Sequence, residues 1–435
     1  MARRSLIKAR FSTRRPLPRG WIGPVALALL AYAGAIKNSP LLAWVPLDLT
    51  LLFALVVVGS IVISGLSQGA PPLTIALPLG LLATFLLGAF DPQLFGYPLS
   101  KVLALFTFTL LSIVAPFFLL RTDDQRRVFV GAFATLALAV AIIIFVRPGV
   151  VSASSQVVTL EGTNTISTAR MLATGVVIFV LLAMVTAKST RRPVVFGLLG
   201  AALVLSTLST GSRGPFLAIG VAIFGIIVAA PALKAHRVRS LLASGMVAII
   251  AFFVASVGAS DGVSRVLGLL SGGVDNSVRV RVLFLTEAVR KIADTPFGIG
   301  WGNFIQLPGM SLYSKGVDRL YPHNVIVEIT LEAGWLAGIA FTAFLCASLL
   351  RARRAANTPL NTAIFGLLIF AVVNAFTSGD VNDNRSMWML LSVTWLLPHL
   401  PKTALADEFH PALQKGRLLP PEARLYAATA ASTRG

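Results

Sequence analysis

Cysteine is almost absent from the 435 residues: Cys346 is the only one and lies inside an apolar run, so no disulfide framework can form and the residue reads as packing. Charge is scarce too, at 12% of residues against 56% hydrophobic, which excludes an ordinary soluble domain. Acidic residues number 17 against 37 Lys and Arg, giving a formal net charge of +20. In a soluble chain that balance would point to nucleic acid. Here the basic residues fall in short clusters between apolar runs, as orientation signals do, so no nucleic-acid partner is expected. No internal repeat relates the two halves, which weighs against a two-fold transporter. What remains is a polytopic membrane protein with a mean hydropathy of +0.83.

Windows of about 20 residues place apolar runs near 21–36, 43–64, 73–90, 99–120, 128–146, 169–187, 194–210, 216–233, 241–259, 325–350, 361–378 and 387–400. The expectation is therefore an all-α membrane protein of about twelve spans. The tail 1–20 carries Arg3, Arg4, Lys8, Arg10, Arg14, Arg15 and Arg19 with no acid, and the positive-inside rule holds it in the cytoplasm. Basic clusters at Arg121, Arg126 and Arg127, at Lys188, Arg191 and Arg192, at Lys234, Arg237 and Arg239, and at Arg351, Arg353 and Arg354 fall on the same side. Spans 1–9 then occupy 21–259, a large outward loop 260–324, spans 10–12 residues 325–400, and a cytoplasmic tail 401–435. His236, His399 and His410 fall on the inner side, where no catalytic role is expected.

Within the loop, Asp275-Asn276-Ser277 caps a helix and Pro296 stops it, predicting 277–294. Val278, Val282, Leu285, Val289 and Ile292 form one apolar stripe. Arg281 sits ~60° from its centre on the wheel and so turns toward whatever the helix packs on, either as a snorkelling side chain or as a substrate ligand. The alternate glycines of Gly298-Ile299-Gly300-Trp301-Gly302 lack a preceding strand and a following P-loop lysine, and read as a packed turn rather than a nucleotide site. A second outward loop, Ser209-Thr210-Gly211-Ser212-Arg213-Gly214-Pro215, sets a guanidinium among hydroxyls, a setting suited to phosphate oxygens or to a plain anchoring turn. His323 and Asn324 stand where the large loop re-enters an apolar helix carrying Glu328. Titratable groups at such a boundary are functional candidates. Glu328 could orient the histidine or an acceptor, or serve as a cap or an interhelical contact. Asp48 in an early span reads as interfacial. Trp301, Tyr313 and Tyr321 could stack on sugars or belong to an aromatic belt. Asp380 and Asp383 form a D-x-x-D beside Arg385 that reads as a turn or salt bridge, and no metal site is assigned.

Three separated features together resemble the O-antigen ligase and polymerase family: Ser209-Thr210-Gly211-Ser212-Arg213-Gly214; Arg281 with Pro296-Phe297-Gly298-Ile299-Gly300; and His323-Asn324 with Glu328 and Glu332-Ala333-Gly334. The resemblance spans roughly 195–400, with Leu285 where the family usually has Trp. It implies a GT-C-like glycosyltransferase at the outer face of the bacterial inner membrane. The implied donor is an undecaprenyl-diphosphate-linked glycan, and the acceptor a lipid A core or another lipid-linked repeat, alongside membrane lipids and envelope polysaccharide assembly proteins. By the same resemblance His323 is the catalytic base, Arg213 and Arg281 hold the diphosphate, and Glu328, Asn324 and Ser212 support them, with no cofactor and no metal. The competing expectations are a flippase for lipid-linked glycans and a non-catalytic envelope subunit.

Overall fold

In a computed structural model, the described residues are 20–90, 95–147, 149–152, 155–185, 191–236, 245, 276–313 and 319–398. The chain divides into a main unit, Met1–Leu396, and a second, Leu397–Gly435, of which 397 and 398 are described. The expected N-terminal tail, nearly all of the run at 241–259, residues 260–275 and the expected tail from 401 lie outside the described residues, as do His399 and His410.

Thirteen helices are followed here, α1 Ile22–Ile36, α2 Leu49–Gln68, α3 Ala76–Phe85, α4 Tyr97–Leu119, α5 Asp123–Val146, α6 Thr165–Val185, α7 Arg192–Ser209, α8 Arg213–Ala229, α9 Asn276–Asp294, α10 Val325–Ala333, α11 Trp335–Ala355, α12 Pro359–Thr377 and α13 Arg385–Thr394. Among the described residues, α2, α4, α5, α6, α7, α11 and α12 are long and apolar enough to cross a membrane, and Ile22–Ile36, Leu73–Ala89 and Arg213–Ala229 are shorter apolar helices. The expectation of helix alone needs one correction, since the 147–164 connection carries an antiparallel hairpin, β1 Gly149–Ser152 and β2 Ser155–Thr159.

Local signals set the helix starts. Asp48 caps α2 by accepting from the Thr50 and Leu51 amides, and pairs with Lys37 at 2.8 Å, so this early carboxylate is a cap rather than a mid-span charge. Thr122 and Gln125 form a reciprocal capping box on α5. Thr358 caps α12 ahead of Pro359 at its first position. Packing then sorts the helices. α6 lies at the centre, touching α5, α7, α8 and α12, and its Gly175 admits Ala137 and Leu203 so closely that a Cβ there would meet them at 2.5 and 2.8 Å. By contrast α2 exposes Leu51, Leu55, Val62, Ile63 and Leu66, an apolar outer side that only lipid or another apolar surface can satisfy.

The run at 325–350 is not one span. It breaks at Gly334, whose φ of 90° and ψ of 173° lie where side-chain-bearing residues are strained. A Cβ at this position would stand 2.6 Å from the Pro296 carbonyl oxygen and 2.7 Å from the Phe297 carbonyl carbon. Gly334→Ala is accordingly expected to destabilise by more than about 1–3 kcal/mol, read as a lower thermal midpoint in detergent; an unchanged midpoint would show that the break is not fixed by this contact.

The turn that Gly334 meets is the glycine run. Ile299 and Gly300 amides donate to the Leu331 and Glu332 carbonyls at the end of α10, and the Trp301 amide donates to Gly88. Gly298, at φ 85°, lies against the same strip: a Cβ there would stand 2.5 Å from the Glu332 oxygen. The packed-turn reading of these glycines agrees with that geometry. Trp301 is fully buried, with Nε1 donating to the Phe85 carbonyl at 2.8 Å, and so takes neither the sugar-stacking nor the belt position.

Helix α9 begins and ends where its capping residues indicated, but it buries a different face. Phe284 and Ala288 are buried against Phe304, Met310 and Leu331, while Val282, Leu285 and Val289 are exposed. The β-branched stripe loses to an aromatic ring that has more apolar area to bury and a ready partner in Phe304, edge-on at 5.5 Å.

Candidate functional site at the ends of helices α6, α8, α9, α10 and α12

The last turn of α12 and the residues after it, 374–383, form the floor of the site. Arg281, from α9, donates to the Thr377 carbonyl at 3.2 Å. Arg170, in the first turns of α6, donates to the Ser378 carbonyl at 2.6 Å and the Asn374 carbonyl at 3.3 Å. The Thr377 and Ser378 carbonyls stand where a helix C-terminus leaves acceptors unsatisfied, the Asn374 carbonyl already accepts from the Ser378 amide, and the negative end of the α12 dipole favours both cations. The α8 N-terminus approaches the same turn, since a Cβ on Gly214 would lie 3.2 Å from the Thr377 hydroxyl oxygen. Arg213 opens that helix, and Ser212 before it has a buried Oγ with no hydrogen-bond partner. Arg213, Ser212 and Arg281, read from separate stretches of sequence, thus meet around Thr377.

His323 stands in the loop ahead of α10, outside the candidate spans. It is the one non-glycine residue with positive φ among the described residues, at 59°, a conformation that costs of order 1–3 kcal/mol and persists where surroundings enforce it. Its ring lies parallel to Phe284 with centroids 6.2 Å apart, and Tyr321 meets it edge-on at 4.5 Å. Aromatic walls therefore fix the imidazole plane. Its Nδ1 is buried and has no hydrogen-bond partner, a costly state that a substrate group would relieve. Burial, then the Arg281 and Arg170 charges, push its pKa down to about 4.

Asn324 caps α10, its side chain accepting from the Ile326 and Val327 amides at 3.1 and 3.2 Å. Glu328 does not orient the histidine. It accepts from Lys101 Nζ at 2.6 Å and from the Val381 amide at 3.2 Å, so of its open roles the interhelical one matches the geometry. Glu332, one turn on, accepts from the same Nζ at 2.5 Å and from the Gly302 amide at 3.0 Å. All three charged side chains are fully buried. This triad ties α10, which follows His323, to α4, to the glycine turn and to the segment after α12. Lys101 escaped the sequence reading because it is one charge in an apolar run, and Arg170 for the same reason. An isolated charge inside a span was the available signal.

The D-x-x-D is a turn and a salt bridge together. Asp380 Oδ1 accepts from the Asn382 and Asp383 amides at 2.9 and 2.8 Å, and Arg319 reaches Asp380 at 3.1 Å and Asp383 at 2.6 Å. The neighbouring Arg385 instead donates to the Leu30 carbonyl at 3.4 Å. Tyr97 donates to Asp380 at 2.9 Å. Burial and the adjacent Asp380 raise the Asp383 pKa, while Arg319 holds the Asp380 carboxyl low despite its burial. Among the described residues no group of three or more His, Cys, Asp or Glu is arranged to hold a metal.

Two of the basic clusters lie at the other ends of the helices. Arg126 donates to the Leu396 carbonyl and Arg351 to the Thr394 carbonyl, both at the far end of α13. Residues 198–342 match the family model described as O-antigen ligase. The match contains Arg213, Arg281, His323, Asn324, Glu328 and Glu332, while the resemblance read through to 400 extends beyond it. No curated protein matches the chain.

Proposed function

We propose that this membrane protein of the O-antigen ligase family is a glycosyltransferase that moves glycan from an undecaprenyl-diphosphate-linked donor to a lipid A core or to another lipid-linked repeat. The observation that carries the reading is His323, held at a positive φ with a buried Nδ1 that has no hydrogen-bond partner, beside arginines gathered on one helix end. An acceptor hydroxyl attacks the anomeric carbon and gives its proton to the imidazole, while the bond from that carbon to the donor phosphate oxygen breaks. The departing diphosphate carries the charge, and Arg213, Arg281, the Ser212 hydroxyl and the first amides of α8 are placed to bind it. Because Arg side chains keep their protons, they hold the leaving group by donated hydrogen bonds without transferring a proton to it.

Positive-inside charge at Arg121, Arg126, Arg127, Arg351, Arg353 and Arg354 supports a cytoplasmic place for that end and a periplasmic place, at a bacterial inner membrane, for the arginine–histidine end. The test is transfer by purified protein in nanodiscs supplied with the lipid-linked donor and candidate acceptors in EDTA. A product ladder identifies a polymerase, and one added glycan on lipid A core a ligase. Loss of transfer in EDTA restored by a divalent cation overturns the metal-free mechanism. Donor crossing liposomes with no transfer to any acceptor would replace the enzyme with a flippase.

The depressed His323 pKa gives the reaction a pH signature. In the free enzyme the base is neutral at pH 7 and is lost only as pH falls through about 4. Bound diphosphate offsets the guanidinium charges that help depress the pKa, so in the complex the group protonates at higher pH. The acid limb of kcat, which reports the complex, is expected above that of kcat/KM, which reports the free enzyme. Coincident limbs near 6.5, the ordinary histidine value, would show that His323 is not in this field.

A further inference from the structure

We propose that Arg170 is a third cation of the diphosphate site, an inference that rests on the donor chemistry proposed above. Arg170 lies before the matched residues 198–342, and no sequence motif marks it. It shares its anchor with Arg281, since Arg170 takes the Asn374 and Ser378 carbonyls and Arg281 takes that of Thr377. Two like charges gathered on one helix end repel each other, and the α12 dipole offsets only part of that repulsion. A single clamp would suffice to cap the helix. Asp383, already bridged to Arg319, stands beside Arg170 and offsets part of its charge; an anion that binds both guanidiniums accounts for the rest.

Three observations agree with this. Arg170 Nε is buried without a hydrogen-bond partner, so a donor of the fork remains unused. The Arg170 charge is felt at His323, together with that of Arg281, which sets both guanidiniums on the histidine's side of the floor. Gly379, at φ 79°, keeps the floor open beside the guanidinium, since a Cβ there would lie 3.2 Å from both Arg170 Nη atoms and 3.2 Å from Asp383 Cβ. A diphosphate has enough oxygens to take a fork from each of two arginines, whereas a monophosphate is more readily served by one. The site is therefore built for the diphosphate leaving group and discriminates against the undecaprenyl monophosphate that a further hydrolysis would produce.

The test uses the full-length protein in nanodiscs with inorganic pyrophosphate as a competitive probe against the lipid-linked donor, and inorganic phosphate as its control. Arg170→Gln is expected to raise the pyrophosphate Ki and the donor KM about ten- to a hundredfold while leaving the phosphate Ki and the acceptor KM near wild type. Arg170→Lys, which keeps the charge and loses the fork, should fall between the two. A purely structural clamp predicts a lower thermal midpoint with both inhibition constants and the donor KM unchanged, and that result overturns the proposal. Should Arg170→Gln fail to fold, a lysine variant with wild-type pyrophosphate Ki and a lowered midpoint overturns it equally. If the wild-type protein transfers no glycan and pyrophosphate does not displace the donor, the functional reading itself fails and this inference falls with it. Transfer by wild type with an unaltered Ki in Arg170→Gln removes Arg170 alone.

Discussion

His323→Asn is expected to reduce transfer by about 10²–10⁴-fold while membrane abundance and thermal midpoint stay near wild type. Asparagine is the cleaner variant because it tolerates the left-handed backbone that His323 adopts at φ 59°, whereas alanine bears the strain without the side chain. The imidazole is also poorly suited to a structural role, since its Nδ1 has no hydrogen-bond partner and its ring packs on Phe284 and Tyr321. Removing the ring leaves a gap between two aromatic walls but strands no buried partner. A base that is neutral across the physiological range fits the step that needs it, which is removal of a proton from a sugar hydroxyl. Retention of more than a tenth of wild-type transfer in the asparagine variant, at equal abundance, would remove His323 from the chemistry.

Lys101→Met is expected to cost the folded protein about 3–5 kcal/mol. Lys101, Glu328 and Glu332 are completely buried, and one ammonium faces two carboxylates at 2.6 and 2.5 Å. Removing it strands two like charges in a medium that cannot solvate them. The carboxylates also hold the Val381 and Gly302 amides, so the loss would loosen the α12 exit and the glycine turn together. The measurement is the thermal midpoint and yield of monodisperse protein in detergent. Adding Glu328→Gln and Glu332→Gln to the methionine variant should recover part of the loss, because the uncompensated charge is then gone. Equal stability of the methionine variant and the wild type would mean that the triad is not buried in the folded protein. Transfer measured on the recovered triple variant separates positioning from stability: a fall in kcat with an unchanged midpoint would show that the triad sets the entry of α10 and hence the place of His323.

Much of the membrane architecture was legible in the sequence because lipid imposes one strong rule, that apolar runs of sufficient length become helices. The bounds of α9 were legible for a similarly local reason, from Asp275-Asn276-Ser277 before it and Pro296 after it, whereas Asp48 and Asn324 proved to be caps that the sequence had not marked as such. The stripe on α9 was not. Its period was correct, yet which face it buries depends on Phe304, Met310 and Leu331, residues far along the chain that present a pocket to Phe284. The break at Gly334 was hidden for the same reason, because hydropathy runs on through it and only the approach of Pro296 and Phe297 demands a glycine there.

The sequence by itself determined a polytopic membrane protein, the clustering of its basic residues between apolar runs, and three polar stretches bearing Arg213, Arg281 and His323. These are properties of composition and of order along the chain. Tertiary structure alone decided that Arg281 and Arg170 share the carbonyls that end α12, that the start of α8 comes up against Thr377, and that Glu328 faces Lys101 rather than the histidine. The reason is physical: a guanidinium finds an unsatisfied helix end, and a buried carboxylate finds its cation, through contacts that span from 96 to 227 residues of chain and leave no local pattern to read.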